Sequence, residues 1–197
     1  MDGSPVNKAP RVKLKPNLRK ILAAIAYLIA MSEKRGTAIS QYQILKSLFL
    51  ADRAHLNSYG RPVTYDNYHA MRAGPVPSVA YELLKESSVV MKRNRIKHLP
   101  WERHPAGAGR FDYSRADTRD VDSALSESDK GCLENALAAI KGLSFSQIVR
   151  LTHADPAYVE AWEQNGEHKS YLMSYGMLFD APNYEAAERV EFLSKHT

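Results

Sequence analysis

The chain has 197 residues, 44% of them hydrophobic and 25% charged, a balance that suits one domain with a substantial core and excludes global disorder. Its single cysteine, Cys132, excludes an internal disulfide framework and a cysteine-cluster zinc site, and reads as a packed thiol inside a helical pattern. The formal net charge of +5 is split unevenly: residues 1–119 carry 21 Lys/Arg against 9 Asp/Glu, and residues 120–197 carry 6 against 13. Such polarity either steers an acidic partner or nucleic acid to one face, or draws two parts of one fold together.

Residues 1–16 are basic, proline-punctuated and without a periodic apolar face, and read as a disordered arm. A helix follows, because Leu18, Ile21, Leu22, Ile25, Leu28 and Ile29 share one face. Its apolar run, Ile21 to Met31, is shorter than the ~18 residues of a membrane span and lacks a signal-peptide layout. A cytoplasmic protein with no membrane contact is therefore expected. Past a break at Gly36, Ser40 and Gln43 have capping-box spacing and open a second helix with Ile44, Leu45, Leu48, Phe49 and Leu56 on its stripe. Asp52 falls on that stripe, where a carboxylate is costly unless it is paired or hydrogen-bonded.

Tyr59-Gly60-Arg61-Pro62 reads as a turn and Thr64 to Arg72 as at least partly extended. Gly74-Pro75-Val76-Pro77-Ser78 then leads into a helix over 77–86 that buries Ala80, Leu83 and Leu84. Val89 to Leu99 and Arg110 to Arg115 are expected to pair as a β-hairpin, with Gly107-Ala108-Gly109 near its tip. That hairpin would carry Lys92, Arg93, Arg95, Lys97, Arg103 and Arg110. Ser126 with Asp129 and Ser144 with Gln147 have the spacing to cap two further helices. The first buries Leu133, Ala136, Leu137 and Ile140; the second runs through Ile148 and Leu151. Asp155-Pro156 opens another, bearing Tyr158 and Trp162 and stopping near Asn165-Gly166. A last helix from Tyr184 bears Ala187, Val190 and Leu193. The expected class is mainly α with some β: a compact domain of about six to seven helices with a small hairpin or short antiparallel strands.

Nucleotide-binding, nucleophile-elbow and HExxH signatures are absent. Asp52 and His55, three residues apart, read either as an acid/base pair or, preferably, as an ion-pair or hydrogen-bond anchor for the turn into Arg61. His153 and Asp155 are close in sequence, but a cap role explains Asp155 without a metal. No catalysis, metal or cofactor is expected. A basic hairpin beside a helix pair is also the outline of a winged helix, which makes Lys92, Arg93, Arg95 and Lys97 a candidate nucleic-acid surface.

Three ordered pieces carry a resemblance. They are Leu50-Ala51-Asp52-Arg53-Ala54-His55, then Tyr59-Gly60-Arg61-Pro62, then Gly74-Pro75-Val76-Pro77-Ser78 with Tyr81. A fourth, Leu151-Thr152-His153 with Asp155-Pro156-Ala157-Tyr158, follows at compatible spacing. The set resembles the Panacea domain of SocA-like antitoxins over about residues 17–165, leaving a C-terminal helical extension, 166–197, packed on the same domain. The resemblance implies a bacterial or phage-associated antitoxin that binds and neutralises a cognate toxin. It also allows a proteolytic adaptor that delivers its toxin to a protease, beside the alternative of a regulator bound to operator DNA. On this reading Asp52, Arg53, His55, Tyr59, Arg61, Gly74, Pro75, Val76, Pro77, Ser78 and Tyr81 are the signature or partner-binding residues, in a homo- or hetero-oligomer.

Overall fold

A computed structural model of the protein describes residues 9–163 and 168–196. Among these residues the order is α1 (Leu18–Glu33), β1 (Ile39–Ser40), α2 (Gln41–Tyr59), β2 (Tyr68–Met71), β3 (Gly74–Pro77), α3 (Ser78–Leu84), α4 (Ser88–Arg93), β4 (Glu102–Pro105) and β5 (Phe111–Ser114). It continues with α5 (Val121–Ala124), α6 (Glu127–Ile140), α7 (Phe145–His153), α8 (Pro156–Glu163), β6 (Ser170–Leu172), a 3-10 turn (Tyr175–Leu178) and α9 (Tyr184–Ser194). The fold is mainly α with two small antiparallel sheets. The nine α-helices among the described residues include two short ones, α4 and α5, that the periodicity did not indicate.

Local chemistry fixes the helix starts. Ser40 and Gln43, Ser126 and Asp129, and Ser144 and Gln147 each form a reciprocal capping box, which satisfies backbone N–H groups that a helix leaves without partners. Gly60 ends α2 in the left-handed conformation, its N–H donated to the Leu56 carbonyl. Two apolar clusters result, and α2 serves both. Leu45 and Leu48 join Ile21, Ile25, Leu83, Tyr113, Leu133 and Leu137 in the first. Phe49 and Leu56 join Tyr68, Tyr158, Tyr175, Leu178 and Val190 in the second.

One sheet has the order β1-β5-β4 and the other β3-β2-β6. In the second, Tyr68 faces Pro77 and Met71 faces Gly74, so the proline-rich run is itself a strand folded back on β2. Its helix begins at Ser78, one residue after the expected start, with Pro77 in extended backbone at the cap position. A proline side chain accepts no hydrogen bond, and the buried carboxylate of Asp66 does the capping instead, accepting from the N–H groups of Val79 and Ala80 at 2.9 Å each.

The hairpin expectation needs correction. Val89 to Leu99 is not a strand: Ser88–Arg93 is helical, and the chain then turns through Arg95 at a φ of +55°. Strand β5 already has β1 on one edge and β4 on the other, so this segment has no ladder to join and satisfies its backbone groups locally. The true partner of β5 is Glu102–Pro105, a charged, largely exposed edge strand with no apolar alternation to announce it. Lys92 and Arg93 therefore end α4, Arg95 and Lys97 lie in the turn beyond, and of the six cations only Arg103 and Arg110 belong to the hairpin.

The arm also differs from expectation. Residues 1–8 lie outside the described residues, but residues 9–16 are laid down along the second cluster. Leu14 is buried and exchanges two hydrogen bonds with the Asn67 side chain, at 3.0 and 2.9 Å. Arg11 donates to the Leu172 carbonyl at 2.7 Å and pairs with Glu160 at 2.9 Å. An extended segment that docks by alternate contacts has no helical period to read. In α7 and α9, Ile148, Ala187 and Val190 are buried as expected, whereas Leu151 and Leu193 are exposed. The expected stop of α8 at Asn165-Gly166 lies outside the described residues.

Candidate functional site

The signature residues sort into three neighbourhoods. The first surrounds Asp52, which is fully enclosed and makes no ion pair with Arg53 or Arg61. Its carboxylate accepts from Thr64 N at 2.9 Å, from the Thr64 hydroxyl, and from the Tyr68 hydroxyl at 2.8 Å. Burial pushes its pKa up to about 6 against these bonds. Of the two anchor readings, Asp52 is thus the hydrogen-bond anchor rather than an ion pair, and its bonds go to the segment after the turn. Arg53 reaches elsewhere, to Asp155 at 2.6 Å and Asp180 at 2.9 Å.

The second neighbourhood is the joint of α1, α2 and α6. Asp129 is completely buried there and receives Lys20 at 2.6 Å and Arg61 at 2.9 Å, besides the backbone N–H of Ser126. Burial opposes its charge, but these donors hold its pKa down at about 2. His55 is enclosed beside it, bonded to the Arg61 carbonyl at 2.8 Å and to Ser128 at 3.0 Å, and burial lowers its pKa. The exposed Tyr59 ring lies against it, with centroids 4.5 Å apart. His55 and Asp52 have separate partners and form no acid/base pair.

The third neighbourhood is built on β3. Gly74 has a φ of +99°, and a Cβ there would stand 2.7 Å from Thr152 Oγ1 and 2.9 Å from Lys46 Nζ. Glycine is therefore required both by conformation and by the close approach of α7. The Pro75 carbonyl accepts from the buried ammonium of Lys46 at 2.7 Å. Ser78 donates through its hydroxyl to the Asn67 carbonyl at 2.8 Å. The β2–β3 turn is pinned again by the Tyr158 hydroxyl on the Met71 carbonyl at 3.0 Å. His153 stacks on Tyr158, and Asp155, besides holding Arg53, accepts from Ala157 N at 2.9 Å. The late Thr152-His153-Asp155 piece of the sequence signature thus closes on the first and third of the earlier ones.

The third neighbourhood forms the floor of a cleft of about 1190 Å³. Tyr42, Lys46, Met71, Val76 and Tyr81 line it from α2, the β2–β3 hairpin and α3; Phe111 faces them from β5, and Phe145 and Ile148 from α7. Phe145 remains 60% exposed at the edge, its ring 4.8 Å from that of Tyr42. Of the expected partner-binding residues, Val76 and Tyr81 line the cleft, while Asp52, Arg53, His55, Tyr59 and Arg61 do not. Lys92, Arg93, Arg95 and Lys97 are away from it too.

Lys46, Asp66 and the ion pairs of Asp129 escaped the sequence reading. Nothing in the order of residues marks Lys46, which sits among the apolar residues of α2. Asp66 leaves an indirect trace: proline at the cap of α3 implies that the cap comes from elsewhere. Burial lowers the Lys46 pKa to about 7, so the folded protein sheds this proton well before the unfolded chain does. Stability relative to Lys46→Met is expected to rise with pH between about 7 and 10, by up to a few kcal/mol. Urea melts of both proteins at pH 6.5, 8 and 9.5 measure this. A difference that stays flat contradicts it.

The family model for SocA-like antitoxins, Panacea domain, matches residues 44–158, from the apolar stripe of α2 to the tyrosine that pins the β2–β3 turn. No curated protein and no solved structure matches the chain.

Proposed function

This chain belongs to the family of SocA-like antitoxins with a Panacea domain, and on that premise we propose that it neutralises a cognate toxin by binding it directly. The toxin would be the product of an adjacent gene in a bacterial or phage-borne pair, and the complex would act in the cytoplasm. The observation that carries the reading is the family match over more than half of the chain. A large cleft on a floor held by side-chain bonds supports it, because a preformed surface binds at low entropic cost.

Co-expression is the test. The neighbouring gene product is expected to arrest growth alone, and this chain to restore growth while co-purifying with it. Rescue without a complex favours the adaptor reading, in which a protease removes the toxin. An absence of toxicity from either neighbour contradicts the pair altogether. The exposed cations Lys92, Arg93, Arg95 and Lys97 form no ion pairs among the described residues, which keeps operator DNA as a second reading. Arg93→Glu with Arg95→Glu is expected to leave rescue unchanged. Loss of a salt-dependent operator complex in that variant would establish the second reading beside the first.

A further inference from the structure

The cleft has a definite chemistry. Its floor is apolar and aromatic, and the exposed ring of Phe145 extends that surface to the edge. Its rim is cationic. Arg72 at the β2–β3 turn, Arg110 beside the β4–β5 tip and Lys169 before β6 are all exposed cleft residues. None of the three has an ion-pair partner among the described residues. Among the described residues that line the cleft, Asp112 is the one carboxylate. Three elements distant in sequence thus bring free positive charge to one opening, although the rest of the surface pairs many of its cations locally, as Lys130 does with Asp122 and Glu127. The opening also exceeds the ~300–1,000 Å³ usual for a small-molecule pocket.

We propose that this cleft receives a segment of the toxin whose apolar side chains enter between Phe145, Tyr81 and Phe111 and whose flanking residues are acidic. The proposal rests on the antitoxin reading and adds the binding face and the chemistry of its ligand. Apolar burial supplies the affinity, and the cationic rim orients the segment and speeds its encounter. The floor is ready-made, because Lys46 and Tyr158 already bond the β2–β3 hairpin that forms it and Thr152 packs closely against Gly74.

The test combines charge reversal with site-directed crosslinking, using the full chain and the purified neighbour-encoded protein. The triple variant Arg72→Glu, Arg110→Glu, Lys169→Glu alters only exposed side chains that have no ion pair among the described residues and is expected to melt like the wild type. Its affinity by titration calorimetry is expected to fall at least about tenfold and to lose its weakening by salt. Arg93→Glu with Arg95→Glu, outside the cleft lining, is expected to bind as the wild type does. A photocrosslinker at Phe111 is expected to capture a partner peptide with acidic residues beside its apolar ones. Unchanged affinity in the triple variant, or a crosslink to a second copy of this chain or to a segment without acidic residues, overturns the cleft assignment and leaves the antitoxin reading standing. Absence of binding by the wild type overturns both.

Discussion

Gly74→Val is expected to destabilise the protein by about 3 kcal/mol or more. Two independent costs add. A β-branched residue at a φ of +99° is strained by roughly 1–3 kcal/mol, and its Cβ would stand 2.7 Å from Thr152 Oγ1 and 2.9 Å from Lys46 Nζ. Lys46 cannot swing aside freely, because it is buried and its ammonium is bonded to the Pro75 carbonyl. The backbone of β3 must therefore shift, and with it the floor of the cleft and the start of α3. Gly36→Ala supplies the comparison. Gly36 also has a positive φ, +69°, but nothing lies within 4 Å of its would-be Cβ. That variant is expected to cost only about 1 kcal/mol, from conformation alone. Equal losses in urea melts of Gly36→Ala and Gly74→Ala would contradict the close packing of β3 against α7.

Asp129→Ala is expected to cost about 2–4 kcal/mol near neutral pH, through a different mechanism. The carboxylate gathers Lys20 from α1, Arg61 from the turn after α2 and the N-terminal backbone of α6. Removing it leaves two cations facing an enclosed site, which is more costly than losing a surface pair. The Lys20 and Arg61 side chains are 19% and 29% exposed, so solvent moderates the loss. The pH dependence identifies the cause. A carboxyl held at about 2 in the folded state, against its ordinary value near 4, stabilises fully above that ordinary value and loses the contribution as pH falls toward 2. The gap between wild type and variant is expected to narrow on acidification. Asp52 and Asp66, with pKa values raised by burial to about 6 and about 7, act in the opposite sense, so wild-type stability alone would mix the two. Only the difference between the two proteins isolates Asp129.

What was legible in the sequence was local. Ser40 with Gln43, Ser126 with Asp129 and Ser144 with Gln147 mark helix starts because both partners lie within one turn. The stripe of α1 and the signature of α2 through α3 were readable for the same reason. Partners distant in the chain left little trace. Val89-Val90 has the β-branched character of a strand, but the place beside β5 was taken by Glu102–Pro105, whose composition conceals it. Asp52 was marked by its position on an apolar stripe, yet its partners Thr64 and Tyr68 emerged only from the fold. The cleft was the least readable feature. It is assembled from α2, α3, α7, two hairpins and residues before β6, and no one stretch of sequence shows that Phe111 and Phe145 share a cavity.

The claim that this chain acts by direct binding is tested most directly by mixing it, purified, with the purified product of the adjacent gene. Titration calorimetry followed by size-exclusion chromatography with light scattering is the measurement. The account predicts saturable binding at a fixed stoichiometry and a single co-eluting complex that survives without other cellular components. Two proteins that elute apart and release no heat at micromolar concentrations would contradict it.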